Sequence, residues 1–276
     1  MNNNNIRVSI LTLTKNDNQN FLRTLRSIEI QTINYKVEWL IIDGSDNINF
    51  EYREIILSKF KKKSINNKFF LRHIKTNNLK IKGIYPCMNY GKKIAKGDAI
   101  IFLNSGDEFH NKSSLNNLAS KAQEINNNYF LIFGQARIIA SKKITWYFPG
   151  NKLKNIDIWL KFFEPNHQSM LISKKLAQKY DFDNKYNMIA DGYWKKKIIK
   201  ESQITIYIQK PICNFYLDGI SSSKISFTNF KQLILNNNLS IIRKIIFTFK
   251  LVIPGNIFFI YHHLQKIKSI LIDYLF

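Results

Sequence analysis

Gly97-Asp98-Ala99-Ile100-Ile101-Phe102-Leu103-Asn104-Ser105-Gly106-Asp107 decides the architecture. The unbroken apolar run from Ala99 to Leu103 fits a strand buried on both faces. It stops at Asn104-Ser105-Gly106, small polar residues suited to a turn, which leaves the carboxylate of Asp107 at the strand's C-terminal end. Ligands of open α/β sheets bind outside the carboxyl ends of the strands. A single acid there suits a divalent cation that keeps waters and takes its other ligands from phosphates. An Asx-type turn, with Asp107 capping a helix that starts near Ser113, accounts for the same residues.

Just upstream, Gly83-Ile84-Tyr85-Pro86-Cys87-Met88-Asn89-Tyr90-Gly91 leads into a predicted short helix, Met88 to Lys96. Gly97 is expected in the left-handed position past its end. Further back, Ile6 to Leu13 reads as a strand, followed by the loop Thr14 to Asp17. Phe21, Leu22, Leu25 and Ile28 recur at helical spacing, predicting a helix to about Gln31. Val37 to Ile42 is a second strand, ended by Asp43-Gly44-Ser45-Asp46; a helix from Tyr52 to Lys62 leads to a third strand, Phe69 to Ile74. This alternation is the pattern of a parallel sheet with crossover helices. Neither G-x-G-x-x-G after the first strand nor G-x-x-x-x-G-K-[ST] is present, which disfavours a dinucleotide site and a P-loop. Asp43 ends a strand as Asp107 does, and either turn chemistry or recognition of a base or ribose explains it.

The chain of 276 residues has ample length for a full core, and its 45% hydrophobic content marks a globular protein. A net charge of +23 creates a field suited to anionic headgroups or nucleotide phosphates. Cys87 and Cys213 have apolar surroundings and no metal-ligand spacing, so they read as free thiols of a reducing compartment. The N-terminal Met-Asn-Asn-Asn-Asn lacks a signal pattern, and no apolar run reaches a bilayer span. A cytoplasmic location is expected.

After a helix from Ser114 to Ile125, the runs Tyr129 to Ala140 and Ile144 to Phe148 predict paired strands. Trp159, Phe162 and Phe163 fit either a core cluster or an acceptor platform. Glu164-Pro165-Asn166-His167-Gln168 leads into a strand, where His167 fits a phosphate or metal ligand, or a structural hydrogen-bonder. Asp191 opens a helix ending near Glu201; favourable placement at a positive helix terminus and service as a general base both account for it. Ile204 to Ile208 is a further strand, and Asp218 to Ser223 a small-residue loop able to close over phosphate. From Phe227 the chain turns into basic amphipathic helices interrupted at Pro254-Gly255, suited to an anionic membrane surface or to packing on the main domain.

Taken in order, Val8-Ser9-Ile10-Leu11-Thr12 with Asn16, Ser27 with Gln31-Thr32, Glu38-Trp39-Leu40-Ile41-Ile42-Asp43-Gly44-Ser45, Gly83-Ile84-Tyr85 with Met88 to Gly91, Phe102 to Asp107, His167-Gln168 and Ile189-Ala190-Asp191 resemble the inverting GT-A glycosyltransferases of family two. The likeness is strongest to the bacterial polysaccharide, colanic-acid-type branch, and spans about residues 6–223. It implies an α/β fold, a Rossmann-like mixed sheet flanked by helices, with residues 224–276 as a C-terminal amphipathic tail. It implies a nucleotide-sugar donor, a UDP-sugar, bound through Thr12, Asp43, Asn89 and Asn104. Asp107 is then the carboxylate that holds Mg²⁺ or Mn²⁺, and Asp191 the base that deprotonates the acceptor hydroxyl. His167, Gln168 and Ser221 become donor or acceptor contacts. The acceptor is a surface glycan, lipid-linked or part of a lipooligosaccharide, reached from the inner face of the membrane. The chain departs from its relatives at Ile81, at Pro86-Cys87, at Asn104 and at Gly106, positions where they often carry Asp or, at Pro86-Cys87, Asp-Ala.

Two rival classes make different predictions. A nucleotidyltransferase carries a Gly-rich basic loop after the first strand, and Leu13-Thr14-Lys15-Asn16-Asp17 is not one. A basic nucleic-acid- or membrane-binding protein without catalysis predicts lysines clustered with aromatics on one face. Here the lysines are scattered and acids fall at strand ends, so no specific nucleic-acid partner is expected.

Overall fold

The computed structural model describes residues 7–63, 69–151, 153–217, 264 and 266–272. Strands β1 (Val8–Thr14), β2 (Val37–Asp43) and β3 (Phe69–Lys75) are parallel, joined by α1 (Asn18–Glu29) and α2 (Asn47–Lys63). The helix α3 (Ile84–Ile94) returns the chain to β4 (Ala99–Phe102), parallel to β1 on its other side. Then follow β5 (Glu108–Phe109), α4 (Ser114–Gln123), β6 (Phe130–Ile139), β7 (Thr145–Phe148), α5 (Ile156–Phe162), β8 (Met170–Ser173), α6 (Lys174–Lys179), α7 (Ala190–Glu201) and β9 (Ile204–Tyr216). The sheet runs β3-β2-β1-β4-β8-β6-β9-β5, with β7 on β6. The strand β8 lies antiparallel between β4 and β6, which makes the sheet mixed.

Both faces are covered, which is why β4 reads as a continuous apolar run and every residue of β1 and β2 is buried. Val8 and Ile10 enter one layer with Phe21, Trp39 and Phe60; Leu11 and Leu13 enter the other with Phe102, Phe133 and Trp194. Trp159 is fully buried against Phe133 and Phe148, so it is core and not an acceptor platform.

Some boundaries differ from the sequence expectation. The helix α3 starts at Ile84, because Pro86 falls in its first turn, where no intrahelical N–H is needed. It ends at Ile94, so Gly97 is not its left-handed terminator. Gly97 is required for a different reason: a Cβ there would lie 2.6 Å from Ser9 N and 2.9 Å from Arg7 O. The Gly97 N–H donates to Ser9 Oγ at 2.8 Å, and Glu38 accepts from Lys96 N and pairs with Arg72, each at 2.6 Å. Backbone atoms of β1 cannot move aside, so Gly97→Ala should cost roughly 1–3 kcal/mol in urea unfolding. A variant as stable as the wild type would show that this contact yields. Asp107 does not cap α4, whose N-cap position is Ser113. The last strand continues past Ile208 to Tyr216 through a register shift beside Pro211, which has no N–H to give to the ladder.

Residues 266–272 are helical. Ser269 Oγ donates to Tyr147 O at 3.2 Å and Ile272 is buried in the second layer, while Leu264, Ile267 and Leu271 are exposed. Most of the expected tail, and the Asp218–Ser223 loop with Ser221, lie outside the described residues. Among the described residues no helix is long and apolar enough to cross a membrane.

Candidate active site

The site is built where β1, β2 and β4 end. Beyond β4 the backbone keeps following β1: Leu103 N donates to Leu11 O at 2.9 Å and Ser105 N to Leu13 O at 3.0 Å. Gly106 then turns the chain at φ +102°, a conformation that L side chains rarely adopt. Thr24 of α1 clamps the turn, accepting from Gly106 N at 3.0 Å and donating to Asp107 O at 2.7 Å. Asp107 is consequently fixed and nearly buried. Its Oδ1 accepts from Tyr216 N at 2.9 Å, and its Oδ2 accepts from Gln168 Nε2.

Gln168 joins the two sides of the site, since its Oε1 also accepts from Asn104 N at 2.9 Å. It sits in a 3-10 turn, His167–Ser169, that feeds β8, so the antiparallel insertion of β8 beside β4 delivers it. Asn104 Nδ2 lies 3.5 Å from His167 Nε2, and His167 Nδ1 lies 3.7 Å from Asp191 Oδ2. Asp191 opens α7 and faces Lys195 one turn on, with Nζ 3.6 Å from the same oxygen. A polar line thus runs Asp107–Gln168–Asn104–His167–Asp191, drawn from the β4 end, the turn before β8 and the start of α7.

Burial pushes the His167 imidazole down to about 4; Asp191 opposes the shift and Lys195 reinforces it. The ring is neutral at physiological pH. Burial by itself would raise Asp191, yet Lys195, His167 and the Gly192 N–H outweigh it and hold the carboxyl below its ordinary value. With the imidazole neutral, the charge doing this is that of Lys195. Tyr85 of α3 lies beside the start of α7, where burial and then the Asp191 charge push its phenol up, and its ring stacks on Phe182 at 5.7 Å.

The other expected residues are engaged by the protein. Asp43 is fully buried; Oδ1 accepts from Ser45 N at 2.8 Å, and Oδ2 meets Arg53 Nη1 at 2.8 Å and His73 Nε2 at 2.9 Å. Burial would raise its carboxyl, but the contacts with His73, Ser45 and Arg53 hold it down. Thr12 Oγ1 donates to Leu103 O at 2.8 Å and accepts from Trp39 Nε1 at 3.0 Å. The Asn89 amide is closed on the backbone N–H and C=O of Phe182, both at 2.9 Å, beside a cleft of about 420 Å³. The structure therefore brings Asn104, Asp107, His167, Gln168 and Asp191 together, with Asp43 at the end of β2, Thr12 within β1 and Asn89 bound to the 182 segment.

Thr24, Tyr85, Arg53 and Lys195 escaped the sequence reading as site residues. Only Lys195 left a local signal, the i,i+4 spacing from Asp191. The others act across long stretches of chain.

Among the described residues no group of three or more His, Cys, Asp or Glu forms a metal cluster. An oxygen-seeking cation that keeps waters needs less. Asn104 Oδ1 is buried without a hydrogen-bond partner in the same turn as Asp107, and amide and carboxylate oxygens are the donors that Mg²⁺ or Mn²⁺ takes.

The profile of Glycosyl transferase family 2 matches residues 9–181, from β1 through α6. The chain belongs to this family. No curated protein matches the sequence. Family-2 architecture agrees with the solved structures it resembles. Staphylococcus aureus TarS 1-349 in complex with UDP-GlcNAc superposes with a TM-score of 0.61 at 15% identity, over 89% of this chain and 70% of that one. The mannosyltransferase PcManGT from Pyrobaculum calidifontis, in complex with GDP-Man and Mn²⁺, gives 0.55 at 13% identity, over 98% and 73%. The shared fold is GT-A, and the family-2 match covers the Asp43 and Asp107 strand ends together with His167 and Gln168, but stops before Asp191.

Proposed function

We propose that this family-2 protein transfers a sugar from a UDP-sugar, with inversion, to a hydroxyl of a surface glycan or lipid-linked acceptor, as in the colanic-acid-type polysaccharide branch. The observation that carries the reading is the polar line from Asp107 to Asp191: a carboxylate at the strand ends and a second, ionised one across from it. The UDP-GlcNAc and UDP held by TarS support a UDP donor, and the Mn²⁺ held by PcManGT supports a divalent cation.

The chemistry is one displacement. Asp191 takes the proton of the acceptor hydroxyl while that oxygen bonds to the anomeric carbon. The bond from this carbon to the diphosphate oxygen breaks in line, its electron pair leaving with the nucleoside diphosphate. Lys195 keeps Asp191 in the form that accepts a proton, and neutral His167 adds no charge beside it. Asp107 and Asn104 would hold Mg²⁺ or Mn²⁺, which supplies positive charge to the departing diphosphate when bound. Asp43 and Thr12 serve the nucleotide by holding the β1 and β2 strand ends, and Asn89 by fixing the 182 segment. Residues 1–223 form the catalytic domain, with Ser221 among its donor or acceptor contacts. Residues 224–276 hold the enzyme on the inner face of the membrane, and the exposed Leu264, Ile267 and Leu271 support that role.

Hydrolysis of a panel of UDP- and GDP-sugars, with and without Mn²⁺, tests the donor site. One UDP-sugar should be turned over in a Mn²⁺-dependent manner, and Asp107→Ala should lose at least about a hundredfold of that rate. Silence of the whole panel, together with no heat of UDP binding in calorimetry, would remove the reading.

A further inference from the structure

The helix α2 is apolar on two opposite faces. Its inner face buries Arg53, Leu57 and Phe60 against the sheet layer that holds Trp39. Its outer face displays Ile48, Tyr52 and Ile55, which are 81%, 45% and 58% exposed. Their i, i+4, i+7 spacing puts all three on one stripe. A helix covered on a single side ordinarily turns polar residues outward, and one that is apolar all round is covered all round.

The charges on this stripe indicate what covers it. Glu51 and Lys59, both exposed, stand on either side of Ile55 at equal sequence distance. A two-fold axis at Ile55 with the helices antiparallel sets Glu51 opposite Lys59 in both directions, and Tyr52 opposite Ser58. Isologous interfaces need such self-complementarity. In a chain of net charge +23, the antiparallel register gives Glu51 of each copy an opposite charge to meet, which lessens the repulsion between copies on this face. Against an anionic bilayer the exposed Glu51 beside this stripe would be repelled, whereas a second copy offers it Lys59.

We propose that the outer face of α2 is the interface of a two-fold homodimer, with Ile55 on the axis, Tyr52 beside it, and Glu51 meeting the partner's Lys59. This surface is independent of the catalytic assignment. It also backs the helix whose inner side presents Arg53 to Asp43.

Sedimentation equilibrium of the full chain over a wide concentration range tests it. The wild type should reach the mass of two chains and dissociate on dilution. Ile55→Asp, at an exposed position, should keep its unfolding midpoint and raise the dimer dissociation constant more than about thirtyfold, the scale of a central contact. Glu51→Lys should weaken the dimer about three- to tenfold at low salt, and adding Lys59→Glu should restore it. Should Ile55→Asp fail to fold, the charge-swap pair still decides the matter. A monomer at every concentration, or a dimer indifferent to both substitutions, as one held by the basic tail would be, overturns the proposal.

Discussion

Asp191→Asn should lower turnover by about 10²–10⁴-fold, the range supplied by a general base, and leave the heat of UDP binding unchanged. Asparagine preserves the shape of the group that faces His167 and Lys195 but accepts no proton. The pH profile carries the same assignment. A base works only when deprotonated, so rate is lost as pH falls through its pKa. Because Lys195 holds Asp191 below the ordinary Asp value, the acid limb of kcat/KM should lie below that value and not within it. An Asn variant within tenfold of wild type would move the base elsewhere. Loss of UDP binding along with turnover would make Asp191 a structural residue.

Arg53→Met should cost about 3–5 kcal/mol in urea unfolding, the penalty for stranding one partner of a buried pair. Both side chains of the Arg53–Asp43 pair are wholly excluded from solvent. Methionine matches the length of the arginine stem but leaves Asp43 with His73 and Ser45 alone. Arg53 Nε and Nη2 are already buried without partners, so the arginine is retained for what Nη1 does. The double variant Arg53→Met/Asp43→Asn should recover part of the loss, because the stranded charge is then gone. A single variant within about 1 kcal/mol of wild type would show that His73 and Ser45 suffice.

Much of the parallel half was legible because it is local. The run Ala99–Leu103 fitted a doubly covered strand, and the helical spacing of Phe21, Leu25 and Ile28 named the inner face of α1. Gly97 shows where local reasoning fails. Its position after a helix suggested a left-handed terminator, but the cause was the backbone of β1 more than eighty residues away in sequence, near enough to exclude a Cβ. The same holds for Thr24, an ordinary helix residue until Gly106 and Asp107 are folded onto it. The pairing of β8 between β4 and β6, which carries Gln168 to Asp107, has no signature in the short run from Met170 to Ser173.

The amino-acid pattern by itself determined the order of strands and helices in the first half, the acids that end the strands, and the set of motifs resembling family-2 enzymes. Hydrophobic periodicity and turn chemistry act over a few residues, so they can be read along the chain. Tertiary structure alone decided which polar groups remain open. It closed Asp43 on Arg53 and His73, closed Asn89 on Phe182, joined Asp107 to Asn104 through Gln168, and placed His167 between Asn104 and Asp191. Hydrogen-bond partners and burial depend on groups far apart in sequence, and only the packed sheet brings them within bonding distance.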